Sequence, residues 1–123
     1  MANVLNWFEI PVTDMDRAVK FYSEVMGYES MYQTNMEGID MAFFPMEGES
    51  VSGSLCKGEW YKPTTDGLII YLNANPDLEI PLSKVEAAGG KVILPKKLIT
   101  EEIGYMAIII DSEGNRVAFH SSK

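Results

Sequence analysis

One cysteine and one histidine occur in the 123 residues. A single cysteine excludes an internal disulfide, and the two residues together are too few for a Cys/His zinc site within one subunit. Any metal would need carboxylates. Positive charge is also scarce, with 10 Lys and Arg against 18 Asp and Glu and a formal net charge of -8. A phosphate backbone or an anionic membrane would be repelled, so neither nucleic acid nor membrane is an expected partner. No stretch approaches the roughly 20 apolar residues of a membrane-spanning helix. The opening MANVLNWFEIPVTD lacks the basic and apolar regions of a secretory signal. The expected location is cytoplasmic.

What remains is ordinary for a packed globule, 46% hydrophobic and 23% charged, and short enough for a single domain. Its pattern is a repeat. Residues 4–12 (VLNWFEIPV) are rich in β-branched and aromatic residues and predict a strand. Thr13-Asp14 offers an N-cap for MDRAVKFYSEVM, in which Ala18, Phe21, Tyr22, Val25 and Met26 form an apolar stripe at helical spacing before Gly27 ends the helix. Three extended segments follow near 28–34, 39–45 and 50–57, and the turn-rich 58–66 (GEWYKPTTD) then reads as a linker. The same order returns: a strand at 67–74, a helix over 76–88 stopped by Gly89-Gly90, and strands near 91–97, 105–111 and 115–121. Pro81 marks a late or irregular start of that second helix. Met41-Ala42-Phe43-Phe44 is similar to Met106-Ala107-Ile108-Ile109, and a glycine turn and a last strand follow each. The expectation is one α+β domain of two tandem βαβββ modules, about 3–57 and about 67–121.

WFEIPVTD followed by MDRAVKFYSEVMGY resembles the strand, Asp, R-A-x-x-F-Y and glycine signature of the vicinal oxygen chelate superfamily, and DSEGNRVAFHS is similar to its D-P-x-G-N turn and last strand. That superfamily includes glyoxalase I, extradiol dioxygenases, fosfomycin-modifying transferases, methylmalonyl-CoA epimerase and bleomycin-sequestering proteins, so function within it is diverse. The resemblance implies two curved half-barrels lining a ligand cavity, completed in many members by a homodimer. It also implies, in metal-dependent members, four ligands from the first and last strands of each half. Carried onto this chain, those positions fall on Trp7, Leu68, Ser52 and Ala118, none of which is a normal metal ligand. Sliding each strand by two residues offers Glu9, Ile70, Ser54 and His120 instead.

Glu9 and His120 are accordingly the candidate acid/base residues. Trp7 shares a strand face with Glu9 and is a candidate stacking floor, unless it is core filler and Glu9 points outward. His120 either titrates at the site or is a hydrogen-bonded structural residue. Phe43, Ser52, Ser54, Leu68, Ile70 and Ala118 complete the expected cavity lining. Trp60 and Tyr61, an aromatic pair in the linker, either lid the cavity, pack on a second subunit or rest on the barrel edge. Cys56, without a second cysteine, reads as an inert thiol. The functional expectation is a homodimeric protein that binds a small apolar or cationic molecule without a cofactor. The alternative is a metal-dependent lyase, isomerase or dioxygenase with displaced ligands, and metal-free catalysis by Glu9 and His120 is a third possibility.

Overall fold

The computed structural model describes residues 3–123. The first module runs β1 (Trp7–Pro11), α1 (Met15–Met26), β2 (Tyr32–Met36), β3 (Ile39–Phe43) and β4 (Ser52–Lys57). The second runs β5 (Tyr71–Asn73), α2 (Glu79–Leu82), β6 (Lys91–Thr100), β7 (Gly104–Ile110) and β8 (Arg116–Ser121). Each module makes one four-stranded mixed sheet, in the orders β1-β4-β3-β2 and β5-β8-β7-β6. The first and last strands of each module pair in parallel, and the remaining pairs are antiparallel. This is the expected α+β repeat.

Helix α1 follows from local chemistry. The Asp14 side chain accepts a hydrogen bond from the Arg17 amide at 3.1 Å, and Gly27 closes the helix at φ 76°, a conformation that costs glycine little. Its stripe of Met15, Ala18, Phe21, Tyr22 and Val25 is buried. Beneath it lie Ile10 from β1, Ala42 from β3 and Leu55 from β4, and buried residues of both modules join one core cluster.

The second helix departs from expectation. Only Glu79–Leu82 is helical, and the chain to Gly89 is a series of turns mixing short and long bonds, such as Lys84 N–H to Pro81 O at 3.0 Å and Ala88 N–H to Lys84 O at 3.1 Å. Pro81 has no amide hydrogen and crowds the preceding turn, so a regular helix from 76 cannot form. The strand expected at 67–74 shrinks to Tyr71–Asn73, while β6 extends to Thr100 with register shifts around Leu94 and Lys97. As an edge strand, β6 can accommodate Pro95.

The two modules are locked by the turn between β7 and β8. Glu113 accepts hydrogen bonds from the amides of Thr13 and Asp14 at 2.9 and 2.8 Å and from the Arg17 guanidinium at 2.6 and 3.0 Å. Burial pushes its carboxyl pKa up, but those donors outweigh burial and hold it at about 2. Nearby, the buried Tyr22 hydroxyl donates to Asp111 at 2.6 Å, and Asn115 Nδ2 donates to the Pro11 carbonyl at 2.7 Å. Burial, then the Asp111 charge, pushes the Tyr22 hydroxyl far above its ordinary range. Among the described residues no helix is long and apolar enough to cross a membrane.

Candidate functional site

Strands β1 and β5 are each the edge of their sheet. Because side chains alternate along a strand, Ile10 and Val12 point into the core while Trp7, Glu9 and Pro11 share the opposite face. A cavity of about 850 Å³ lies between the two edges. Trp7, Glu9 and Phe8 line one side and Leu68, Ile70 and Tyr71 the other, with Asp66 and Asn73 among the polar groups. No Lys, Arg or His lines it. The trough is thus apolar and aromatic with two carboxylates, the composition expected of a small-molecule site.

Trp7 is 37% exposed and packs edge-on against Phe43, with ring centroids 5.9 Å apart. Glu9 is held from the linker: the Tyr61 hydroxyl donates to its Oε1 at 2.9 Å, and the Cys56 thiol reaches Oε2 at 3.5 Å. The hydrogen bond to Glu9, followed by burial, pushes the Tyr61 hydroxyl up to about 12, so the phenol stays protonated and donating. Burial likewise pushes the Cys56 thiol up, and Ser54 lies 3.3 Å from its sulfur.

The other sequence candidates are dispersed. Leu68 and Ile70 line the trough beside Trp7 and Glu9. Ser52 is buried against the carbonyls of Phe44 and Pro45 and borders an adjoining chamber of about 430 Å³. Ser54 and Ala118 have no exposed surface. His120 lies on β8 of the second sheet, is absent from the trough lining, and its Nε2 is 2.6 Å from the Ile103 carbonyl. Trp60 stands outside at 82% exposure. Tyr71, Asp66 and Phe8 are the residues that sequence reasoning passed over, and Tyr61, named there as a possible lid, instead holds Glu9. Tyr61 sits beside Trp60 in the same linker, and the period-two pattern places Tyr71 on the Asn73 side of β5.

The register also corrects the alignment of the two modules. Trp7 stands opposite Ser52 and Glu9 opposite Ser54, whereas Ala118 stands opposite Tyr71, not Leu68, and His120 opposite Asn73, not Ile70. Val12 N–H to Cys56 O and Ala74 N–H to His120 O are matching bonds, so Ala118 is the counterpart of Ser54, not of Ser52. Aligning on the glycine turns fails because residues 44–51 join β3 to β4 while the shorter 111–115 join β7 to β8. In any of these registers each facing pair supplies at most one of Glu9, Cys56 and His120. Among the described residues no three His, Cys, Asp or Glu side chains stand together in a group that could hold a metal ion.

Two sheets of this topology flanking a trough define a βαβββ-repeat protein, and comparison with known proteins places it further. The family model for the Glyoxalase/Bleomycin resistance protein/Dioxygenase superfamily matches residues 4–119, and the chain belongs to that superfamily. A "Glyoxylase-like domain-containing protein" of Didymella fabae is 26% identical over 113 residues, covering 90% of this chain and 88% of that protein. The fold is shared with a glyoxylase/bleomycin resistance protein/dioxygenase domain from Frankia sp. EAN1pec, at a TM-score of 0.75 and 14% identity over 100% of both chains. It is shared also with glyoxalase I from Zea mays, at a TM-score of 0.67 and 17% identity, where 96% of this chain covers only 46% of the maize enzyme. The trypanothione-dependent glyoxalase I of Leishmania major matches at a TM-score of 0.67 and 18% identity over 98% of this chain and 88% of that one.

Proposed function

We propose that this chain binds a small, largely apolar molecule carrying a positive charge in the trough between β1 and β5, and that the superfamily's metal-ligand positions are lost in it. The observation that carries this reading is the lining: Trp7, Leu68, Ile70 and Tyr71 with Glu9 and Asp66, and no basic side chain. An apolar cation gains from burial of its hydrocarbon, from the aromatic faces and from the carboxylates together. Tyr61 keeps Glu9 oriented as an acceptor at the rim. The reading includes a homodimer, in which a second copy covers Leu68 and Tyr71, 96% and 48% exposed at the mouth.

The test uses the W60F variant, which leaves Trp7 as sole tryptophan and alters only an exposed linker residue. Benzyltrimethylammonium is titrated against its neutral isostere neopentylbenzene, with Trp7 fluorescence as readout. Saturable binding is expected, tighter for the cation, and Glu9→Gln should remove the cation's advantage while leaving the neutral probe unchanged. No saturable response to either probe would overturn the proposal. Elemental analysis of untagged protein purified without chelator accompanies the titration. Near-zero metal after incubation with Zn, Mn, Fe, Ni and Mg is expected, and about one metal per subunit would favour a metal-dependent lyase, isomerase or dioxygenase instead.

A further inference from the structure

The trough does not end blindly. The adjoining chamber of about 430 Å³ shares Phe8, Val51, Leu72 and Asn73 with it and continues along the seam to Tyr28, Phe44 and Met46. Leu72 is buried in the core cluster, and Asn73 belongs to the short strand β5. Phe8 is the bulkiest of the four shared side chains, and it projects from the opposite face of β1 to Trp7 and Glu9.

Its placement is built into the sheet. Phe8 faces Gly53 across the parallel pair, and a Cβ at Gly53 would come within 2.6 Å of the Phe8 ring. Glycine there allows the ring to lie down against β4, where it packs on Phe44 at 5.4 Å between centroids. The ring is half-buried and belongs to the fringe of the core. Glu47 borders the second chamber as Glu9 and Asp66 border the first, and neither is lined by a basic residue, but the second is the more polar of the two, its apolar surface including that of Phe8, Tyr28, Phe44 and Met46.

From this geometry we infer that Phe8 is a specificity-determining residue, the partition that sets how long an apolar tail the seam accepts. The inference rests on the trough being the ligand site. A cationic amphiphile seated with its head near Glu9 extends its tail along the seam and is stopped at the Phe8 ring. Each methylene buried before that point raises affinity about fourfold. Methylenes beyond it stay in water and add nothing.

The experiment is calorimetric titration of the whole chain with n-alkyltrimethylammonium bromides from butyl to dodecyl, all below their micellar concentrations. In the wild-type protein affinity should climb about fourfold per methylene and then level off at a defined tail length. In F8A and F8L the levelling should move to longer tails. F8L retains apolar packing against Phe44 and serves if F8A fails to fold, which circular dichroism reports. If the series binds the wild-type protein and levels off at the same length in the folded variants, Phe8 is not the partition. A wild-type series that never levels off overturns the inference equally. Absence of binding by every member to the wild-type protein would instead bring down the assignment of the trough as the ligand site.

Discussion

Replacing Glu113 with Gln is the sharpest perturbation available, because one carboxylate gathers several of the hydrogen bonds that fasten the two modules. Its side chain has no exposed surface and accepts from Thr13, Asp14 and the forked Arg17 guanidinium, a bidentate and charge-assisted arrangement. Glutamine keeps the shape but offers one oxygen instead of two, and turns an NH₂ group toward Arg17. A carboxyl held at about 2, against an ordinary 4.5, corresponds to about 3 kcal/mol of differential stabilisation. Arg17 is half exposed, 51% at its side chain, so solvent screening reduces the expected loss to about 2 kcal/mol at pH 7.

The sign of the pH dependence follows from linkage. Glu113 is ionised in the folded protein down to about 2, whereas the unfolded chain takes up its proton near 4.5. Its contribution is therefore complete above 4.5, declines as pH falls toward 2, and is gone below that. Urea unfolding of wild type and E113Q should show a gap of about 2 kcal/mol at pH 7 that falls by roughly half at pH 3. All other carboxylates are common to both proteins, so the change in the gap belongs to Glu113. A gap under about 0.5 kcal/mol at pH 7, the range of an ordinary surface substitution, or one that is constant between pH 7 and 3, would refute the assignment of Glu113 as the clamp.

Two further outcomes follow from the same packing. Tyr22→Phe removes the donor 2.6 Å from buried Asp111 and leaves that oxygen with the 3.1 Å bond from Asn115 Nδ2; denaturant unfolding should show a loss of about 1–3 kcal/mol, and a neutral result would contradict the burial of the pair. Cys56 has no exposed surface and its thiol is pushed up by burial, so a disulfide reagent at pH 8 should label the native protein no faster than it unfolds and the urea-unfolded chain at once. Rapid native labelling would show that the Glu9, Tyr61 and Cys56 cluster is open to solvent.

How far the fold could be read beforehand depended on how local its causes were. Helix α1 was legible to the residue because its cap, stripe and stop lie within Asp14 to Gly27. The repeat was legible because order, turns and apolar words returned together. The second helix was not, because Pro81 interrupts a sequence whose composition still favours a helix. Register was less legible still: a two-residue slip preserves the face and leaves the hydrophobic pattern intact, so nothing in the sequence chose between Ser52 and Ser54 as the counterpart of Ala118. For the same reason Glu9 could be placed on the face of Trp7, while its partner Tyr61, 52 residues away in the linker, could not be found.

The division between recognisable and unrecognisable residues has a physical basis. Asp14, Arg17, Tyr22, Asp111, Glu113 and Asn115 carry the resemblance, or stand beside the residues that do, and each is engaged in the hydrogen bonds that fasten one module to the other, Asp14 through its backbone amide. For Tyr22, Asp111, Asn115 and the Glu113 side chain the chemistry is fixed by burial, since a buried donor or acceptor without its partner costs stability. The side chains along the trough face no such demand. Trp7, Leu68 and Tyr71 are partly or wholly exposed at a free edge, where replacement by another apolar residue leaves every backbone bond in place. A scaffold built this way separates what holds the edges of β1 and β5 apart from what fills the space between them. On the proposed reading of the trough, ligand choice can change there without loss of the clamp, whereas the motifs identify the superfamily alone.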